Sequence, residues 1–174
     1  TVRVALKYDQ NYLSGGRAPT RVQWASRLTS DGTVLSNAVR VQMKLGAHAI
    51  LKEEIHERLR TAATSFYKTG AVDHHAELVA SPHVPTGAFE GVASAPISFA
   101  REVHWNRLAE IGQEDPIEWR LRHLRTDWPV IADLCKTLSA ESDFHRRYSA
   151  NELVRKRRVQ LPWDSAALRG IGCA

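Results

Sequence analysis

Apolar and polar positions alternate along most of the first 46 residues, with the two-residue period of a β-strand that has one buried face. The pattern predicts a first strand over residues 2–6 and two longer strands within residues 20–46. The pair Asp31-Gly32 lies between the longer runs, and Asp-Gly between alternating segments is a strong hairpin signal. We therefore predict an antiparallel hairpin over residues 20–46 that turns at Asp31-Gly32.

The period changes after residue 46. Apolar residues now recur every three or four positions, at Leu51, Ile55, Leu59, Ala62 and Phe66. This spacing predicts an amphipathic helix over residues 47–66. Gly70 interrupts the pattern, and the sequence AVDHHAELVA at residues 71–80 indicates another strand.

Helical spacing dominates the second half of the chain. Asp115 is suited to cap a helix, Pro116 suits the first helical position, and Glu118 follows as in a capping box. The apolar stripes that predict helices are Trp105, Leu108, Ala109 and Gly112; Ile117, Leu121 and Leu124; and Ile131, Leu134, Cys135 and Leu138. A further helix is predicted over residues 142–157.

The order of these elements predicts an α+β fold. An N-terminal, antiparallel, hairpin-rich sheet with a connecting helix is followed by a helical C-terminal half. We expect residues 1–174 to form a single α+β segment, mainly strands plus the helix 47–66 in residues 1–84 and mainly helices in residues 85–160. Residues 168–174 predict the start of a strand. No run approaches ~18 consecutive apolar residues, so no membrane-spanning helix is predicted.

The net charge of +5 is concentrated in residues 145–160, HRRYSANELVRKRRVQ. A basic patch of this kind is typical of a surface that binds an anionic partner, including nucleic acid. Only Tyr148 accompanies the cluster, however, so it lacks interleaved aromatic rings on which bases stack. The alternative interpretation is a solvated basic helix end.

The sequence offers few residues for catalysis or metal binding. The two cysteines, Cys135 and Cys173, form no CxxC pair, and neighbouring His74 and His75 point to opposite faces of a strand. His56 with the glutamates around it is typical of a solvated helix flank. No serine-hydrolase, phosphate-loop or zinc-protease motif is present. We assign no catalytic residue and no metal ligand.

The stretch PTGAFEGVASAPISFA, residues 85–100, differs from the rest. Gly87 and Gly91 bracket a short loop between a predicted strand and a predicted helix. Glycine permits close approach of the backbone, and free N–H groups at a helix entrance bind anions or oxo groups. The alternative is a plain connection with a glycine bend.

Residues 85–124 resemble the molybdenum hydroxylases, the family of xanthine dehydrogenase, aldehyde oxidase and isoquinoline oxidoreductase. In that family a turn G-A-[FY]-R-G-x-G-x-P-Q precedes a helix, and G-x-D-P-[IVL]-E-[FW]-R-x-x-[NH]-L follows. The matching residues are Gly87, Ala88, Phe89, Gly91, Glu102, Leu108, Ala109, Asp115, Pro116, Glu118, Arg120 and Leu124. The hairpin and RGIGCA at residues 169–174 are also similar to the family, so the resemblance covers nearly the whole chain.

The resemblance implies an internal fragment of a much longer molybdopterin-binding subunit. That subunit hydroxylates aldehydes or N-heterocycles with oxygen from water. The residues implied in cofactor binding are Gly87, Ala88, Phe89, Glu90 and Gly91. The implied partners are the remainder of the large subunit, an iron–sulfur subunit and a small-molecule substrate, without a membrane or nucleic acid. Iron–sulfur clusters and a flavin or haem lie on partner subunits or domains.

We expect a cytoplasmic protein, with the periplasm as the alternative. We expect no activity from this chain alone, because the family's upstream Gly-rich loop and its catalytic glutamate are not in it. The turn also departs from the family pattern. Glu90 stands where the family has arginine, Ala93 replaces the third glycine, and Ala95-Pro96 replaces Pro-Gln. A second hypothesis is therefore a non-catalytic scaffold or partner-docking domain derived from the family.

Overall fold

The computed structural model describes residues 2–5, 7, 9–10, 16–48, 51–83, 86, 91, 93–158 and 171–173. The elements named here are β1 (Thr20–Leu28), β2 (Val34–Lys44), α1 (Lys52–Thr64), β3 (Ala71–Val79), α2 (Ser94–Gly112), α3 (Pro116–His123), α4 (Pro129–Ser142) and α5 (Phe144–Arg158). Strands with one helix come first and helices follow, so the α+β prediction is confirmed.

The chain divides into two compact units. The sheet unit comprises Thr1–Ser65 and Thr69–Arg101, and the helical unit comprises Phe66–Lys68 and Glu102–Ala174. Each unit has its own core, and each is described by itself.

The predicted hairpin is present. β1 pairs antiparallel with β2, and Val22 lies opposite Val41. In the connection, the amide N–H of Gly32 donates to the carbonyl oxygen of Thr29 at 3.0 Å, and Gly32 has φ 83°. Glycine adopts this left-handed conformation without steric cost, so the Asp31-Gly32 pair fixes the turn as predicted.

The sheet unit buries the alternating face of β2. Val39, Val41, Met43 and Leu45 are at most 3% exposed, while the residues between them face outward. Helix α1 covers this face with three side chains one turn apart, Ile55, Leu59 and Ala63. The strand period and the helix period therefore build one shared core, as the spacing predicts.

β2 is the central strand of the sheet, with β1 on one side and β3 on the other. β3 runs parallel to β2, as the crossover through α1 allows. Asn37 is a polar residue on the buried face of β2. Its side-chain oxygen accepts hydrogen bonds from Trp24 Nε1 at 3.1 Å and from Ser26 Oγ, and its Nδ2 donates to the carbonyl of Thr69. Ser26 interrupts the apolar alternation of β1 because it bonds Asn37.

Three predicted elements differ from the structure: where the structure describes them, two strands do not form, and one helix begins later. Residues 2–5 have no regular secondary structure, and Val2 and Val4 are exposed, so the alternation there does not form a strand in the described residues. Helix α1 begins at Lys52 because Leu51 has φ 55° and lies outside the helix. Residues 171–173 are irregular rather than a strand, and residues 168–170 and 174 lie outside the described residues.

The helical unit is organised around stacked aromatic rings. Tyr67 stacks on Trp105 at 4.2 Å between ring centroids, and Trp119 packs on His123 at 4.5 Å. Tyr67 also forms a β-bridge with Leu124, so the segment Phe66–Lys68 is bound to the end of α3. Trp105 and Trp119 are each 1% exposed, so these rings form the buried centre of the unit.

Helix α4 departs from its predicted role. Its stripe predicts burial, yet none of its residues is fully buried, and Leu134 and Leu138 are 59% and 49% exposed. The helix therefore presents apolar side chains on its surface.

In the described part of the chain, no helix combines the length and the apolar character that a membrane crossing needs.

Gly70 and Gly91 provide a matched test of the backbone in the sheet unit. Both have positive φ, 57° and 78°. A Cβ at Gly70 would lie 2.0 Å from the carbonyl oxygen of Leu35, whereas one at Gly91 would meet only Ser94 Oγ at 3.9 Å. We expect Gly70→Ala to cost several kcal/mol of unfolding free energy and Gly91→Ala only about 1–2 kcal/mol. Urea unfolding followed by circular dichroism measures both, and equal losses would contradict the structure.

Candidate functional site

Of the five residues implied in cofactor binding, Gly91 is the one that the structure describes. Gly87, Ala88, Phe89 and Glu90 lie outside the described residues. Gly91 has φ 78°, a conformation that favours glycine. Among the described residues a Cβ at Gly91 would meet only Ser94 Oγ at 3.9 Å, so the backbone conformation, rather than a steric clash, favours glycine there.

Gly91 leads into the N-terminus of α2. The amide N–H of Ala95 donates to the carbonyl oxygen of Gly91 at 3.1 Å, which closes the first turn. Ala93 and Ile97 are fully buried and fix this end of the helix in the sheet unit, while Ser94 and Ala95 are exposed. The first turn carries no acidic side chain. The exposed, uncharged start of α2 suits an anionic group only in part, because the Ala95 N–H already donates to Gly91 and Pro96 has no N–H.

Other residues of the resembled motif have structural roles. Asp115 caps α3, since its Oδ1 accepts hydrogen bonds from the amides of Ile117 at 2.8 Å and Glu118 at 3.3 Å. Pro116 occupies the first turn, as predicted. These residues start a helix rather than bind a ligand.

Glu102 and Arg120 form an ion pair inside the helical unit. Arg120 Nη2 lies 2.9 Å from Glu102 Oε2, and the side chains are 4% and 9% exposed. Tyr67 donates its hydroxyl to the same carboxylate oxygen at 2.9 Å. Burial alone would lower the pKa of Arg120, but interactions with Tyr67, Cys173 and Glu102 raise the pKa above its ordinary value. Arg120 therefore stays charged.

The remaining donors of Arg120 are also used. Nη1 donates to Asn106 Oδ1 at 2.9 Å and to the carbonyl of Pro116 at 3.0 Å. Nη2 also donates to the carbonyl of Cys173 at 3.1 Å. A fully satisfied buried network of this kind fixes one packing arrangement.

Sequence reasoning noted Glu102 and Arg120 only as motif residues. Their pairing was missed because they are 18 residues apart and belong to different helices. A signal did exist. Glu102 lies in register with the stripe of Trp105 and Ala109, and Arg120 lies in register with the stripe of Ile117 and Leu124. A charged residue on an apolar stripe needs a buried partner.

The glutamates around His56 do not form a metal site. Glu54 pairs with Arg58, and Glu57 pairs with Arg60. Within the described residues, no group of three or more His, Cys, Asp or Glu side chains is arranged to hold a metal ion. The interpretation as a solvated helix flank therefore agrees with these ion pairs.

His74 faces α1, whereas its neighbour His75 is exposed. The ring of His74 lies 6.0 Å from that of His56, and neither of its buried ring nitrogens has a hydrogen-bond partner among the described residues. Burial lowers the pKa of His74 below its ordinary value, and electrostatic interactions with His56, Arg60, His75 and Arg40 lower it further. His74 is therefore held neutral.

An acidic cleft of about 680 Å³ lies in the helical unit between the end of α2, the start of α3 and α5. Its carboxylates already have partners. Glu110 pairs with Arg107, Glu114 pairs with Arg122, and Asp115, which caps α3, lies 3.2 Å from His145 Nδ1. The cleft is lined by structural ion pairs.

Comparison with known proteins gives one family. Residues 1–124 match the family described as the molybdopterin cofactor-binding domain. No curated protein was found to match the chain.

Solved structures share the fold at low sequence identity. The aldehyde oxidoreductase from Desulfovibrio gigas has a TM-score of 0.66 at 22% identity, over 88% of this chain and 17% of its own. The aldehyde oxidoreductase from Desulfovibrio desulfuricans has a TM-score of 0.65 at 19% identity, over 83% and 16%. Quinoline 2-oxidoreductase from Pseudomonas putida 86 has a TM-score of 0.72 at 20% identity, over 87% and 22%. The chain thus spans about a fifth or less of the length of these proteins.

The buried ion pair predicts a large effect of removing one charge. Glu102→Gln leaves Arg120 buried without its counter-ion, and we expect a loss of about 3–5 kcal/mol of unfolding free energy. The control on the same helix is Glu110→Gln, which breaks the exposed pair with Arg107. That change costs at most about 1 kcal/mol. Urea titrations of the two variants give the comparison, and similar losses would refute the structural role of Glu102.

The lowered pKa of His74 predicts that the stability of the protein depends on pH. Its folded-state pKa is lowered, so the unfolded chain binds the proton first, and stability is lost as the pH falls from about 6.5. Above that pH His74 is neutral in both states and contributes no slope. His74→Leu should flatten the curve between pH 6.5 and 5, by at most ~1.4 kcal/mol per pH unit for one proton. Thermal unfolding across this range tests it, with His75→Leu as the exposed control. Parallel wild-type and His74→Leu curves would contradict the prediction.

Proposed function

The chain belongs to the molybdopterin cofactor-binding domain family, and from this premise we propose that it is part of the molybdenum-cofactor-binding subunit of an oxidoreductase. The reaction we propose for the whole protein is hydroxylation of aldehydes or N-heterocycles with oxygen from water. The match over residues 1–124 is the observation that carries this proposal.

The similar structures support the substrate class. Their names specify aldehyde oxidoreductases and a quinoline 2-oxidoreductase. Aldehydes and N-heterocycles both present an electrophilic carbon. The molybdenum cofactor, when bound, supplies the two-electron oxidation of that carbon. As the acceptors of these electrons we propose iron–sulfur clusters and a flavin or haem on partner subunits or domains.

We propose the turn of Gly87, Ala88, Phe89, Glu90 and Gly91 as this chain's contribution to the cofactor site. The described part supports it in two ways. Gly91 has the backbone conformation that glycine alone adopts freely, and the exposed start of α2 carries no negative charge. Backbone N–H groups at such a position bind anions such as a pyranopterin phosphate.

The carboxylate of Glu90 disfavours the binding of an anionic cofactor. A carboxylate beside a phosphate is repelled, and the charge-assisted donation that arginine would give is absent. The turn therefore relies on backbone donors. This charge is also the observation that favours the second candidate, a non-catalytic scaffold derived from the family.

The exposed apolar side chains of α4 are consistent with either candidate. Val130, Leu134 and Leu138 are 49–66% exposed. An apolar surface of this kind is typical of an interface. The partners we propose are the remainder of the large subunit and an iron–sulfur subunit, in the cytoplasm.

The test measures molybdenum per protein in the full-length protein that contains this chain. We expect wild type to bind molybdenum and Glu90→Arg to bind as much or more, because the repulsion is replaced by a donor. Glu141→Arg, the same charge change at an exposed position on α4, is the control and should leave the content unchanged.

The outcomes separate the two candidates. Absence of molybdenum from both wild type and Glu90→Arg would reject cofactor binding and favour the scaffold. A clear loss in Glu90→Arg alone would show that Glu90 itself supports binding, against our assignment of backbone donors only.

A further inference from the structure

Two side chains converge on one main-chain oxygen in the helical unit. The carbonyl of Cys173 accepts hydrogen bonds from Arg120 Nη2 at 3.1 Å and from Asn106 Nδ2 at 3.3 Å. Asn106 lies on α2 and Arg120 on α3, so the acceptor is held from two helices.

Contacts other than the one with Cys173 hold both donor side chains in place. Arg120 is held by Glu102 and by the carbonyl of Pro116, and its Nη1 donates to Asn106 Oδ1 at 2.9 Å. Asn106 therefore accepts from Arg120 with its oxygen, and this orients its Nδ2 toward Cys173. Donors oriented in advance lose little conformational freedom when the acceptor binds.

Residues 171–173 have no regular secondary structure of their own. Ladder hydrogen bonds of a sheet or helix therefore do not hold them among the described residues. Ile171 and Cys173 are half-buried, and among the described residues the hydrogen bonds from Asn106 and Arg120 are their directional contacts.

We propose that Asn106 and Arg120 are positioning residues that hold residues 171–173 against the helical unit through the carbonyl oxygen of Cys173. The assignment gives a role to the arginine of the resembled motif and to Asn106, which stands where the family's helix pattern has aspartate. It is independent of cofactor binding, because it concerns only the path of this chain.

The Cys173 thiol reports on this contact. Burial raises the pKa of the thiol above its ordinary value, so it reacts slowly while the segment is in place. Cys135 is an internal control, because it lies within the regular helix α4 and its pKa is also raised by burial. Release of the segment exposes Cys173 without unfolding α4.

The test uses Asn106→Asp in the full-length protein. Aspartate keeps the oxygen that accepts from Arg120 but loses the N–H that donates to Cys173, and its charge repels the carbonyl. Alkylation with iodoacetamide at pH 8 is followed by peptide mass spectrometry at both cysteines. We expect roughly a 5-fold or greater increase in the rate at Cys173, less than about a 2-fold change at Cys135, and an unchanged thermal midpoint.

Arg107→Gln on the same helix is the control, since Arg107 is exposed and pairs with Glu110 at the surface. An unchanged Cys173 rate in Asn106→Asp would overturn the proposal, and so would a parallel rise at both cysteines. If Asn106→Asp does not fold, Asn106→Ser, whose hydroxyl is too short to reach Cys173, is measured in the same way and judged by the same two outcomes.

Discussion

The helical unit depends on the hydrogen bonds and the ion pair that the guanidinium of Arg120 makes. It contacts Glu102 and Asn106 on α2, the Pro116 carbonyl on its own helix and the Cys173 carbonyl. Arginine presents five donors in a rigid fork, so one side chain can fix several elements at once. A lysine could not reproduce this geometry.

The sheet unit depends on a different constraint. β2 is paired on both edges and carries the buried face, so its side chains are enclosed by strands and by α1. The one polar residue on that face, Asn37, is satisfied from β1 and from Thr69. Buried polar groups with their partners in place make the register of the three strands specific.

The motif shared with the family thus divides into two kinds of residue. Asp115, Pro116 and Arg120 build the helical unit, whereas the glycine turn that precedes α2 is the part we assign to a cofactor. Resemblance in the first group therefore supports the fold. The chemistry rests on the turn, where Glu90 departs from the family pattern.

Local periodicity was enough to predict the hairpin, the strand after Gly70 and the helical second half. Alternation in β2 and three-to-four spacing in α1 each report which face of an element is apolar, and these faces are buried as predicted. The cap at Asp115 followed from local backbone chemistry. The cofactor turn was proposed from glycine spacing and resemblance, and of its five residues only Gly91 is described.

Periodicity failed where burial requires a partner that is distant in sequence. Val2 and Val4 alternate correctly but are exposed, and the stripe of α4 remains at the surface. Conversely, Glu102 and Arg120 are charged yet buried. The sequence by itself determined which segments have an apolar face and where helices and turns begin. Only the tertiary structure decided which faces are covered and which charges are paired, because burial and ion pairing are contacts between residues that the chain order does not bring together.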